Sequence, residues 1–147
     1  MRIASKAIVL IFLLLGTLLG YLAYKRTVLS LIKVVLICFI PFVIVTAVRR
    51  MIDAPRPYEL YGFYENKPKG KNGKSFPSRH VYSAAVISTL LLFECLPLGI
   101  SAAVLSVMLA VFRVLLGIHF VRDTVCGGVI GIGAALVGVL ILAPFSI

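Results

Sequence analysis

Residues 49–57, 77–80 and 113–123 form three short polar islands in an otherwise apolar chain, each where a hydrophobic run begins or ends. They carry Arg49, Arg56 and Arg113, both histidines of the chain, His80 and His119, together with Ser78 and Asp123. Guanidinium groups grip phosphate oxygens through paired donors, and an imidazole can accept a phosphoryl group as a nucleophile. The set is therefore the inventory needed to bind a tetrahedral phosphoryl group and transfer it. Charge beside lipid is costly and is generally kept for ion handling, substrate binding or catalysis, which gives the clustering its weight.

Each residue also has a plainer reading. Ser78 follows Pro77 and precedes an apolar run, so it suits an N-cap that leaves the first-turn N–H groups free as an anion site; capping alone is the alternative. His80 is either part of that site or a headgroup-level residue. His119 and Asp123 are four apart at the expected start of the last helix, where they share a face. The carboxylate can then hold one ring nitrogen, fix the tautomer and make the other nitrogen more basic; an interfacial anchoring pair is the alternative. Two histidines and one carboxylate among so many cations make a poor divalent metal site. Arg113 lies inside an apolar run, either snorkelling to the interface or gripping phosphate. Gly117 allows the chain break that brings Arg113 and His119 together. Arg56 is pinned between Pro55 and Pro57, whereas Arg50 reads as an interface anchor and Lys67, Lys69, Lys71 and Lys74 as a solvated or lipid-attracting patch.

The elements that must position these groups are helices in a membrane. Of 147 residues, 61% are hydrophobic, well above the soluble average of roughly half. The net charge of +10 accompanies no nucleic-acid-binding motif, so an anionic lipid surface or substrate is the expected partner. Cys38, Cys95 and Cys126 have no zinc spacing and read as small apolar residues. Five stretches approach the roughly 20 residues of a spanning helix: 7–24, 28–48, 80–97, 99–118 and 123–143. Arg2 and Lys6 ahead of the first stretch also fit a signal peptide, but the run is long and no small-x-small cleavage site follows.

The expected fold is thus an all-α, polytopic membrane bundle of about five transmembrane helices, one domain over residues 1–147. Tight turns near Lys25 and Arg26, and at Pro97 and Gly99, separate neighbouring helices. The long connection 50–76 is rich in Pro, Gly and aromatic residues, among them Tyr58, Tyr61, Phe63 and Tyr64, which suit the headgroup level. Counting crossings brings all three islands to one membrane face. Gly16 with Gly20, and Gly127 with Gly131, have the spacing that lets helices approach closely in lipid.

Three ordered motifs carry a resemblance to the type 2 phosphatidic acid phosphatase superfamily. Arg49, six intervening positions, then Arg56 and Pro57 match the first; Pro77, Ser78 and His80 the second; Arg113, His119 and Asp123, with both spacings intact, the third. The resemblance implies a metal-independent phosphatase without cofactor, in which His119 forms a phosphohistidine, Asp123 orients it and His80 protonates the leaving oxygen. Arg49, Arg56, Ser78 and Arg113 would hold the phosphoryl oxygens. Arg79 stands where the family has glycine, suited to contacting a second phosphate or closing over the first, and Phe112 replaces a serine. Membrane members typically have six helices, against the five legible here.

The resemblance implies hydrolysis of a lipid phosphate or diphosphate, with undecaprenyl diphosphate first because of Arg79, and phosphatidate or phosphatidylglycerol phosphate next. A non-catalytic protein that binds or moves anionic lipid is the alternative of another class. The family places such sites on the outer side of the cell membrane. The lysines of the long loop with Arg2 and Lys6 favour the cytoplasmic side, while Lys25, Arg26 and Lys33 mark the opposite face; the family placement is the expectation adopted.

Overall fold

A computed structural model describes residues 2–62 and 73–142. Lys67, Lys69, Lys71, Phe63 and Tyr64 lie outside the described residues, and Lys74 is exposed. The chain order is α1 (Arg2–Arg26), α2 (Val28–Ile52), α3 (Pro57–Tyr61), α4 (Arg79–Glu94), α5 (Leu96–Leu115) and α6 (Val121–Leu142). Each expected long stretch is mostly helical, although 80–97 is broken at Cys95 and 99–118 leaves the helix after Leu115, and the described residues hold no strand.

Local chemistry sets the boundaries. Thr27 ends the first hairpin as the N-cap of α2, its Oγ1 accepting the Ser30 N–H at 3.0 Å, which satisfies a donor the helix start leaves free. Between α4 and α5 the break falls at Cys95 rather than at Pro97 and Gly99. Pro97 sits in the first turn of α5, where a missing N–H costs nothing. Gly99 is instead a contact residue: a Cβ there would stand 2.5 Å from Leu92 backbone atoms. The long connection is not all loop, because Arg56, Pro57 and Glu59 start the short α3.

α4 is the centre of the bundle. Nine of its sixteen residues are buried, and α5 and α6 pack along it. Gly127 and Gly131 make the α6 approach possible: a Cβ on either would lie 2.6 Å from the carbonyl oxygen of Ser78 or Tyr82. This is the close small-residue packing that lipid-embedded helices favour. α1, α2, α5 and α6 are long and apolar enough to cross a membrane. Their outer faces present residues such as Leu14, Ile44, Val107 and Leu140. At 16 residues, α4 rises about 24 Å, short of the roughly 30 Å hydrocarbon core that a span was expected to cover.

Arg26 and Glu94 form a salt bridge of 3.2 Å between the C-terminal ends of α1 and α4. Those ends therefore lie together, and the opposite end of the bundle holds the end of α2, the start of α4, the end of α5 and the start of α6.

Candidate active site

Backbone groups lock the three islands together. Arg49 Nη1 donates to the Pro77 carbonyl at 3.1 Å, the Ser78 N–H donates to the Asp123 carbonyl at 2.9 Å, and the Ile118 and His119 N–H groups donate to the Arg113 carbonyl at 3.1 and 3.2 Å. Gly117 makes the last pair possible, since its φ of +65° breaks the helix there. The loop is fastened at both sides of its undescribed part. Glu59 accepts the N–H groups of Arg56 and Gly73, each at 2.8 Å, and the Ser75 N–H donates to the Ala54 carbonyl at 2.9 Å.

That fastening delivers a residue not singled out from the sequence. Ser75, fully buried, stands between His119 and Asp123. Its Oγ lies 3.2 Å from His119 Nδ1 and donates a very short hydrogen bond to Asp123 Oδ2. Direct approach of Nδ1 to Oδ2 stops at 3.6 Å. His119 precedes α6 instead of lying in its first turn, so the expected same-face helical pairing is replaced by this bridge. A serine hydroxyl has one proton. Because it goes to the carboxylate, the oxygen accepts from Nδ1–H, and Nε2 keeps its lone pair.

Asp123 also works on the backbone. It is the third residue of α6, and its Oδ2 accepts the Phe120 N–H at 3.0 Å, the return half of a capping box. Arg122 Nε stands 3.6 Å from its other oxygen. Burial holds the His119 imidazole below the ordinary histidine value of about 6.5; Asp123 opposes this, and nearby Arg56 and Arg49 add to it. The ring is therefore neutral around pH 7 and available as a nucleophile.

Around this relay stand Arg49, Arg56 and Arg113, none of which pairs with a carboxylate among the described residues. Arg49 and Arg56 are buried. Arg56 directs Nε to the Gly73 carbonyl at 3.0 Å, and Arg113 Nε is buried with no hydrogen-bond partner among the described residues. Arg49 lies in electrostatic range of Arg56, Arg79 and Asp123, and His80 in range of Arg113, His119, Arg79 and Arg49. Ser78 occupies the N-cap position of α4, yet its side chain makes no capping bond and its buried Oγ has no partner. A buried, unpaired hydroxyl is costly, and one beside so many cations suits an incoming anion. Arg79 and His80 line one cavity, with the Arg79 guanidinium 5.9 Å from the Phe42 ring. Arg50, read as an interface anchor, is exposed. Ser75 and Glu59 gave little signal, because each acts through a tertiary return of the loop.

A helical bundle with this constellation at one end defines a phosphatase of the type 2 phosphatidic acid phosphatase class. The profile of the PAP2 superfamily matches residues 30–145, and the chain belongs to that superfamily. It is similar in fold to the crystal structure of Aquifex aeolicus LpxE, with a TM-score of 0.64 and 21% identity, over 95% of this chain and 92% of that one. No individual curated protein matches the chain by sequence.

Proposed function

We propose that the protein hydrolyses a lipid diphosphate at the membrane surface through a phosphohistidine on His119, without a metal ion. The observation that carries this is the pairing of an oriented, neutral imidazole with two buried, partnerless polar atoms, Ser78 Oγ and Arg113 Nε, inside a cluster of arginines. A binding protein needs the cations but has no use for a relay that leaves Nε2 free.

In the first step Nε2 of His119 attacks phosphorus, a P–N bond forms and the P–O bond to the leaving group breaks. His80, protonated once the negative charge of the bound phosphate offsets the surrounding arginines, supplies the proton to the departing oxygen. In the second step water attacks the phosphohistidine, His80 takes a proton from that water, and inorganic phosphate leaves. Arg49, Arg56, Arg113, Ser78 and the first-turn N–H groups of α4 stabilise the charge on the equatorial oxygens, the main catalytic demand of phosphoryl transfer. Ser75 and Asp123 support the imidazolium.

Arg79 favours a diphosphate, because it shares a cavity with His80 and so stands where the phosphate of the leaving group departs. Undecaprenyl diphosphate is the substrate this reading puts first, with phosphatidate and phosphatidylglycerol phosphate as monophosphate alternatives. The site faces the outer side of the cell membrane, as the resemblance implies; labelling a cysteine introduced at Lys74 with an impermeant maleimide in intact cells checks that.

The test is phosphate release by purified protein in detergent, with these three lipids and a chelator present. The expected result is vanadate-sensitive release, most efficient with the diphosphate. No release from any of them, or release that stops with chelator and returns with a divalent ion, contradicts the reading.

A further inference from the structure

α4 offers two faces to lipid-side cavities. Val81, Ala85, Ser88 and Leu92 floor a groove of about 700 Å³ between α5 and α6. His80, Ser83, Ala84 and Ile87, about a quarter-turn round the helix, line a cavity of about 310 Å³ against α1, and it shares Leu13, Phe42, Ser83 and Ile87 with a second cavity of about 420 Å³ between α1 and α2. The larger groove is the obvious slot for a hydrocarbon chain. Reaction stereochemistry selects the other.

We infer that the hydrocarbon chain of the substrate's leaving group lies in the path between α1, α2 and α4, with Arg79 on the phosphate at its mouth; this rests on the reaction proposed above. Attacking and leaving atoms stand in line on opposite sides of phosphorus. His119 immediately precedes α6, whose first-turn residues Val121 and Thr124 line the α5–α6 groove, so attack from His119 is assigned to that side. His80 protonates the departing oxygen, and His80 lines the α1 cavity. The chain is attached through that oxygen, so it leaves on the His80 side.

The dimensions and lining agree. From Val9 to Gly20 the path follows one stripe of α1 for about 16 Å, roughly half the hydrocarbon core. It therefore accommodates a chain from the leaflet whose headgroups the site faces. The mouth is cationic and the remainder apolar, complementary to an anionic lipid. The two glycine pairs also differ. A Cβ on Gly127 or Gly131 would meet backbone at 2.6 Å, whereas one on Gly16 would meet only the tip of Ile87, at 3.4 Å. Helix approach does not demand Gly16; open space along the path does.

The test compares kcat/KM for undecaprenyl diphosphate and isopentenyl diphosphate in detergent, for the wild-type chain, Gly16→Leu, Ser83→Leu and Ala103→Leu, the last lining the α5–α6 groove. Gly16→Leu and Ser83→Leu should each lower the long-to-short ratio by about tenfold, the worth of roughly two buried methylenes, while Ala103→Leu keeps the wild-type ratio. If Gly16→Leu loses both substrates through misfolding, the ratio in Ser83→Leu decides. Wild-type turnover with an unchanged ratio in Gly16→Leu and Ser83→Leu, or a lowered ratio in Ala103→Leu alone, overturns the chain assignment and leaves the reaction standing. A wild-type protein inert towards both substrates overturns the reaction and the assignment with it.

Discussion

The two ends of the bundle treat charge in opposite ways. Where α1 and α4 end, Arg26 meets Glu94 at 3.2 Å, the arginine partly exposed and the glutamate largely buried. Where the islands meet, Arg49 and Arg56 are buried on backbone carbonyls, Arg113 Nε has no hydrogen-bond partner among the described residues, and the fully buried carboxylate of Asp123 is engaged by Ser75 and the Phe120 N–H. An isolated buried charge is expensive. Among the described residues, several cations gather here and none of Arg49, Arg56 and Arg113 pairs with a carboxylate, an arrangement suited to an anion from outside. The far end neutralises its charge within the chain, and the near end leaves its cations open to a ligand.

That contrast can be broken by substitution. Arg113→Lys keeps the charge but removes the planar fork, and should lower kcat by about 10²–10³-fold, the scale for losing one transition-state donor; a change below threefold would return Arg113 to the snorkelling reading. Ser75→Ala should cost about tenfold in kcat/KM by cutting the relay, and it carries a pH signature. On the proposed reaction His119 must be neutral to attack, and burial already depresses its value, so the wild-type acid limb should fall below pH about 6.5. Without Ser75 the carboxylate supports the imidazolium less, so the limb should move to still lower pH; a fall in rate with no such movement would make Ser75 merely structural. Arg26→Ala should leave turnover intact and cost about 1–3 kcal/mol of stability, because it takes this partner from the largely buried Glu94 carboxylate. A large loss of activity there would erase the difference between the two ends.

Much of this was legible in the chain because it rests on short-range rules. Apolar length marked the long helices, the position of the islands at helix ends predicted their convergence, and Gly117 announced the break before His119. What stayed hidden depends on tertiary return. Ser75 reaches the His119 relay only because Ala54 and Glu59 fasten the loop on both sides. The spacing of His119 and Asp123 suggested a helical pair, yet α6 begins after the histidine, and Asp123 is held by the backbone of that very start. Pro97 looked like a break and is a first-turn residue, since proline fits a helix start as well as a turn. Gly16 and Gly127 sit in identical spacings, and only the neighbours of each show that one admits backbone and the other leaves space.

The most direct test is to catch the phosphoryl group on the enzyme. Rapid acid-free quenching during turnover of a lipid diphosphate labelled in its terminal phosphate, followed by peptide mapping, should find a base-stable, acid-labile label on His119. The His119→Ala variant should carry none and turn over more slowly by on the order of 10⁴-fold or beyond. Label on another residue, or comparable turnover by His119→Ala, would contradict the account at its centre.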